Sequence, residues 1–198
     1  MENRSKAAHS FLLKQSKANQ HIALNKLLKS IDTTSLNRKD NKQAFYLFLI
    51  KTIVSQQVST SAAKTIWNKL ENILETKEDN VSIKDLRSAG VSKTKAGYIL
   101  GIIKNKSLRK ETPQSLQKYS PSDLSDLLIQ IKGIGPWTIG IVRMFYINDE
   151  DVWLEGDLGI NKSINIFLPK ISHKEIEMIY TPYRTFLSLC LWRGLDSN

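Results

Sequence analysis

Cysteine is almost missing from this sequence: Cys190 is the single one among 198 residues. A lone thiol excludes an intrachain disulfide and a four-cysteine zinc or iron–sulfur site. The three histidines, His9, His21 and His173, show no ligand spacing, and no catalytic metal is expected. Long apolar runs are lacking too, and none approaches the roughly 20 residues that a membrane span needs. The opening stretch MENRSKAAHSFLLKQSKANQ is charged and has no signal-peptide core. The expected setting is therefore reducing: the cytoplasm, around a bacterial or archaeal nucleoid, or a nucleus. Internal repeats and low-complexity linkers are absent, and the length suits one domain or two closely packed lobes. Strand signals are nearly absent as well. Asp151 to Leu154 reads as extended but is too short to found a sheet.

Acidic residues are in deficit: 29 Lys and Arg face 19 Asp and Glu, for a formal net charge of +10. An excess of this size is the electrostatic footprint of a polyanion binder, although a basic solvated surface gives the same sum. The periodicity is helical nearly throughout. Ala62, Ala63, Ile66, Trp67, Leu70, Ile73 and Leu74 share one stripe, and Ala96, Ile99, Leu100 and Ile103 share another. Ser59 to Ser61 and Ser92 offer hydroxyl caps. Ser120-Pro121-Ser122-Asp123 reads as a cap with proline at the first helical position. Ser172 with Glu175 fits a capping box, and Thr181-Pro182 is expected to open the last helix.

The sharpest local pattern is LLIQIKGIGPWTIGIVRMFY, Leu127 to Tyr146. An apolar helix runs into Gly133-Ile134-Gly135, and Pro136 starts another. The two glycines allow a hairpin too tight for side chains, with Ile134 as a plug between the helices. The second helix presents unpaired backbone N–H groups at its start, which with the helix dipole suit a phosphate oxygen. Contact of that kind reads no bases. Lys132, Gly133, Ile134, Gly135 and Thr138 are the residues expected at the DNA backbone. Lys93, Lys95 and Arg143 lie in or near segments that could also face it, though each alone is an ordinary surface charge.

This hairpin, followed by DVWLEGDLGINKSI from Asp151 to Ile164, resembles the helix-hairpin-helix DNA glycosylase superfamily. Two further stretches strengthen the match. LIKTIVSQQVSTSAAKTIW, Leu49 to Trp67, resembles the helix and turn that probe DNA. YTPYRTFLSLCLW, Tyr180 to Trp192, resembles the closing helix of the alkylated-base branch, the 3-methyladenine DNA glycosylase II type. The resemblance spans most of the chain from Ala44 to Trp192. It departs in two places: there is no room for the N-terminal sheet domain of larger bacterial relatives, and the loop Glu155-Gly156-Asp157 lacks the proline often found there.

The resemblance implies an all-α, two-lobed fold with a central cleft. One lobe would span residues 44–146 as a helical bundle, and the other residues 1–43 with 147–198. It implies Asp157 as the catalytic carboxylate. Breaking an N-glycosidic bond builds positive charge on the sugar, which a fixed anion stabilises while it orients or deprotonates water. By position alone, Asp157 after Gly156 reads as a helix cap, and the two roles are compatible. Trp137 and Trp192, and more weakly Trp153 and Tyr46, are implied to line a base pocket, since a cationic alkylated base stacks well on an indole face. Core packing is the bland alternative for each. Gln57 is implied to fill the gap left by the flipped nucleotide, with Gln56 and Val58 beside it. The superfamily's lyase members carry a lysine two positions after the second hairpin glycine. Trp137 stands there, so hydrolysis without strand cleavage is expected.

No cofactor is implied as a requirement, although the family's hairpin carbonyls can hold a monovalent cation bridging to a phosphate. The expected partner is double-stranded DNA containing damaged bases, bound by a monomer away from membranes. Two other readings stay open on sequence grounds: a non-enzymatic helix-hairpin-helix module that only binds DNA, and a glycosylase of this fold acting on oxidised or deaminated bases.

Overall fold

The computed structural model describes residues 2–36, 41–77 and 80–196, and every candidate site residue falls among them. These residues form helices and loops with no strand. In chain order the helices are α1 (Glu2–Ala18), α2 (Ile22–Ser30), a short 3-10 turn (Thr33–Leu36), α3 (Phe45–Ser55), α4 (Thr60–Lys77), α5 (Ile83–Ser88), α6 (Lys93–Lys104), α7 (Pro113–Leu116), α8 (Pro121–Ile129), α9 (Pro136–Phe145), α10 (Leu158–Phe167), α11 (His173–Tyr180) and α12 (Arg184–Asp196).

Local capping chemistry sets many of the boundaries. Ser92 and Ser120 each accept the backbone N–H three residues on, and Pro121 occupies the first turn of α8. Ser172 and Glu175 form a reciprocal capping box at α11. The last helix differs from expectation. It starts at Arg184, and Thr181 instead ends α11. The reason lies far away in sequence: Asp151 accepts the Arg184 backbone N–H at 3.3 Å and the Thr181 hydroxyl at 2.8 Å, so a distant carboxylate caps α12.

The chain divides into two compact units, one of Met1–Asp40 with Arg143–Asn198, the other of Asn41–Val142. In the second, α3 packs on α4 and α6. Leu49, Ile50 and Ile53 of α3 and Ala96, Ile99, Ile102 and Ile103 of α6 are buried. Each large aliphatic side chain removed from water contributes about 1.5–3 kcal/mol. In the first, α10 packs chiefly on α12 and α1 on α2. Buried Ser163 of α10 donates to the Leu191 carbonyl of α12 at 2.8 Å.

The irregular segment that leads into α10 belongs to this first unit. It has no sheet partner, so α12 satisfies its backbone. The Thr185 hydroxyl donates to the Asp149 carbonyl at 2.8 Å and accepts the Val152 N–H at 3.0 Å, while the Thr185 N–H donates to the Glu150 carbonyl at 3.1 Å. Arg184 binds Asp151 in bidentate fashion, at 2.6 and 2.8 Å. Burial opposes the charge on Asp151, but the bonds from Arg184 and Thr181 outweigh it and hold its carboxyl below the usual range.

Candidate active site and nucleic-acid interface

In the first unit, Asp157 is the residue before α10 and caps it. Its Oδ1 accepts the Ile160 backbone N–H at 2.8 Å and the Trp192 indole N–H at 2.9 Å. The cap fixes the carboxylate against the helix start, where the dipole favours negative charge. The indole, reaching across from α12, fixes its rotamer. Phe145 supports Trp192 from its face, with ring centroids 6.2 Å apart and planes 18° from parallel. Gly159 makes the meeting sterically possible: a Cβ there would lie 3.0 Å from Trp192 Cδ1 and 3.1 Å from Asp157 Oδ1. Asp157 and Gly159 are close in sequence, but the indole that meets both lies 35 positions beyond Asp157. Asp157 is half-buried, not sequestered in the core.

The other aromatic candidates have separate surroundings. Trp153 is half-buried and donates its indole N–H to His173 Nδ1 at 3.0 Å, which gives both residues a local structural partner. His9 bonds the Leu28 carbonyl at 2.8 Å, and His21 bonds the Tyr180 hydroxyl at 2.7 Å. No group of three or more potential metal ligands occurs among the described residues. Tyr46 belongs to the second unit, where the Arg109 guanidinium lies 4.8 Å above its ring beside a cavity of about 350 Å³. Trp137 also belongs to that unit, half-buried in the first turn of α9.

In the second unit, the hairpin joins α8 to α9. Gly133 has φ +91°, and a Cβ there would come within 2.4 Å of Tyr98 Cδ2, so this position requires glycine. Gly135 differs from the expectation of equal crowding. A Cβ at residue 135 would meet nothing within 4 Å, so packing does not require glycine there and the space before the helix start is open. Ile134 is 5% exposed, as a plug should be. Lys132 is exposed. Thr138, expected at the DNA backbone, is 1% exposed, and its hydroxyl accepts the Gln56 amide at 3.0 Å. Its side chain thus serves the interior of the unit.

The turn between α3 and α4 separates the three residues grouped there by sequence. Gln56 points inward, to Thr138 and, more weakly, to the Gly133 carbonyl at 3.4 Å, and so is not the protruding residue. Gln57 takes the left-handed conformation, φ +56°, and is exposed, as is Val58 at 38%. Ser59 accepts the Ala62 N–H and starts α4. Lys95 is not a solvated charge. Its ammonium donates to the carbonyls of Val54, at 3.1 Å, and of Gln56. Burial pushes its pKa below the usual lysine range. Arg143 is likewise engaged, binding Asp149 through Nε at 2.9 Å and Nη2 at 2.6 Å. Lys93 remains exposed.

No family model matches the chain. Among curated proteins, it is 30% identical over 182 residues to DNA-3-methyladenine glycosylase 1 of Schizosaccharomyces pombe, covering 85% of this chain and 80% of the relative. The chain belongs to the DNA-3-methyladenine glycosylase family. Solved structures agree with this placement. A 3-methyladenine DNA glycosylase of S. pombe in complex with abasic DNA superposes with a TM-score of 0.82 at 27% identity, over 96% of this chain and 97% of that one. The fold extends to a DNA-3-methyladenine glycosidase of Bacillus halodurans, with a TM-score of 0.68 at 24% identity over 92% of this chain and 88% of that one. This glycosylase family membership accounts for the all-helical architecture.

Proposed function

We propose that this protein is a monofunctional DNA glycosylase of base excision repair, which flips an alkylated purine of the 3-methyladenine type out of duplex DNA and hydrolyses its N-glycosidic bond to leave an abasic site. The observation that carries the reading is Asp157, a carboxylate whose orientation is set by two donors, the Ile160 N–H and the Trp192 indole. Such a group can stabilise positive charge developing at the sugar and orient the attacking water without reorganising during reaction. An alkylated purine is already cationic and leaves readily, so little acid assistance is needed. Trp137, where lyase relatives carry lysine, supports hydrolysis over strand cleavage and suits stacking on the electron-poor base. Trp192, tied to Asp157 and Phe145, acts on the carboxylate.

The hairpin would grip the backbone through the start of α9, and Gln57 would fill the vacated place in the stack. A monovalent cation fits the hairpin as an accessory: the bond from Gln56 to the Gly133 carbonyl is long, at 3.4 Å, and a carbonyl has two lone pairs. The Gly133 and Gly135 carbonyls would hold such an ion, which would supply positive charge toward the DNA backbone. The partner is damaged duplex DNA, bound by a monomer, in the cytoplasm or nucleus.

The test is a panel of duplexes bearing alkylated, oxidised and deaminated bases, incubated with the wild type and with Asp157→Asn. Asparagine caps helices as well as aspartate does and keeps an oxygen for the indole, so the variant isolates the charge. Release of alkylated purines should fall by about 10²–10³-fold with duplex affinity unchanged. Undiminished release would refute the assignment of Asp157, and preferred release of an oxidised or deaminated base would move the substrate class.

A further inference from the structure

Sequence alone groups Gln56 with Gln57 as a probe of DNA and leaves Lys95 among the surface charges. We propose that Gln56 and Lys95 are positioning residues that tie the turn between α3 and α4 to the phosphate-gripping hairpin, so that Gln57 enters the base stack in register with the backbone contact. The inference rests on the reading of Gln57 as the wedge and supplies the device that holds it.

Lys95 stands in the first turn of α6, an end of a helix where the dipole disfavours a cation. Its side chain carries the charge to the last carbonyls of α3, where the dipole favours it and unpaired oxygens await donors. There it meets Val54 and Gln56. The turn's backbone is thereby fixed to α6. The Gln56 side chain then fixes the same turn to the hairpin, through the buried hydroxyl of Thr138 and the carbonyl of Gly133. Gly133 and Thr138 bracket the start of α9, where a phosphate would sit. All of these groups lie within the unit of residues 41–142.

Gln57 holds a left-handed backbone that a residue with a side chain seldom adopts. Strain of that kind persists where the surroundings over-determine it, as they do here from both sides. The exposed tip at Gln57 and Val58 is therefore a rigid projection at a fixed distance from the hairpin, which allows backbone grip and base interrogation to act as one step.

The test uses the full chain with Gln57→Ala, Gln56→Met, Lys95→Met, Lys95→Arg and the double variant Gln56→Met/Gln57→Ala. Affinity is measured for a duplex carrying a tetrahydrofuran abasic analogue and for the undamaged duplex, and 2-aminopurine beside the site reports unstacking. Gln56→Met and Lys95→Met should each lower the preference for the abasic duplex by about 3- to 10-fold, with undamaged affinity within about twofold, and 2-aminopurine should stay dimmer than with wild type. Lys95→Arg should restore most of the loss. Because Gln56 acts through Gln57, adding Gln56→Met to Gln57→Ala should change the preference little further. If Gln57→Ala itself leaves the preference intact, the wedge reading fails and this inference with it. If Gln57→Ala lowers it but Gln56→Met is silent, or adds its full effect in the double variant, the inference alone is overturned.

Discussion

Asp157 and Gly133 both stand just before a helix, yet they are held from opposite directions. Gly133 is fixed chiefly by its own backbone, with φ +91° and the neighbouring Ile134 N–H bonded to the Ile131 carbonyl at 2.9 Å; the Tyr98 ring of α6 only fills the space that a side chain would need. Asp157 is fixed from α12, by Trp192 directly and by Thr185 and Arg184 through the segment that precedes it. A local turn tolerates little change at its own positions and much change elsewhere. A site assembled from a distant helix should instead respond to substitutions remote in sequence, and through turnover more than through folding.

Breaking the local side of this contrast should give the largest effect. Gly133→Ala combines an unfavourable backbone region with a clash against Tyr98 ring and Cβ atoms, and should destabilise the fold by about 1–3 kcal/mol or more, seen as a lower denaturant midpoint. Gly135→Ala sharpens the point, since its Cβ meets no neighbour within 4 Å. Stability should stay within about 0.5 kcal/mol of wild type, while affinity for undamaged duplex falls because the methyl group occupies the approach to the backbone. Equal unfolding midpoints for the two variants would erase the distinction drawn between the glycines.

The remote side calls for Trp192→Phe, which keeps a ring against Phe145 but removes the donor to Asp157. Loss of a hydrogen bond to a charged group is worth ~1.5–3 kcal/mol, so kcat should fall at least about tenfold with a smaller change in KM. Gly159→Ala should act in the same direction by crowding the pair. Wild-type turnover in both would show that the indole does not orient the carboxylate. The smallest effect concerns Cys190, two residues before Trp192. It is fully buried, and burial pushes its thiol up to about 12. At neutral pH it should stay unreactive toward Ellman's reagent in the folded protein and react once denatured. Rapid labelling of the native state would mean that α12 opens readily.

The same contrast explains what could be read from the sequence. The caps at Ser92, Ser120 and Ser172 were legible, because cap and acceptor lie within one turn of each other. So were the hairpin, the plug at Ile134 and the cap at Asp157, since each depends on a short run of residues. The pairings that give those features their meaning were not. Trp192 with Asp157, Gln56 with Thr138 and Lys95 with the carbonyls of α3 join residues 35, 82 and about 40 positions apart, brought together only by helix packing. Gln56 and Gln57 show the limit most plainly. Adjacent and chemically identical, they face in different directions because one finds a buried hydroxyl in α9.

Thr185 illustrates how an all-helical protein can support an extended segment. With one hydroxyl it both gives and takes a hydrogen bond from consecutive parts of residues 149–152, doing the job of an absent sheet neighbour. Valine would match its shape while removing the acceptor of the buried Val152 N–H and one donor to the Asp149 carbonyl. Alongside the Arg184–Asp151 pair, one oxygen atom therefore steadies the segment that leads to Asp157, and a substitution there would shift Asp157 without changing Asp157 itself.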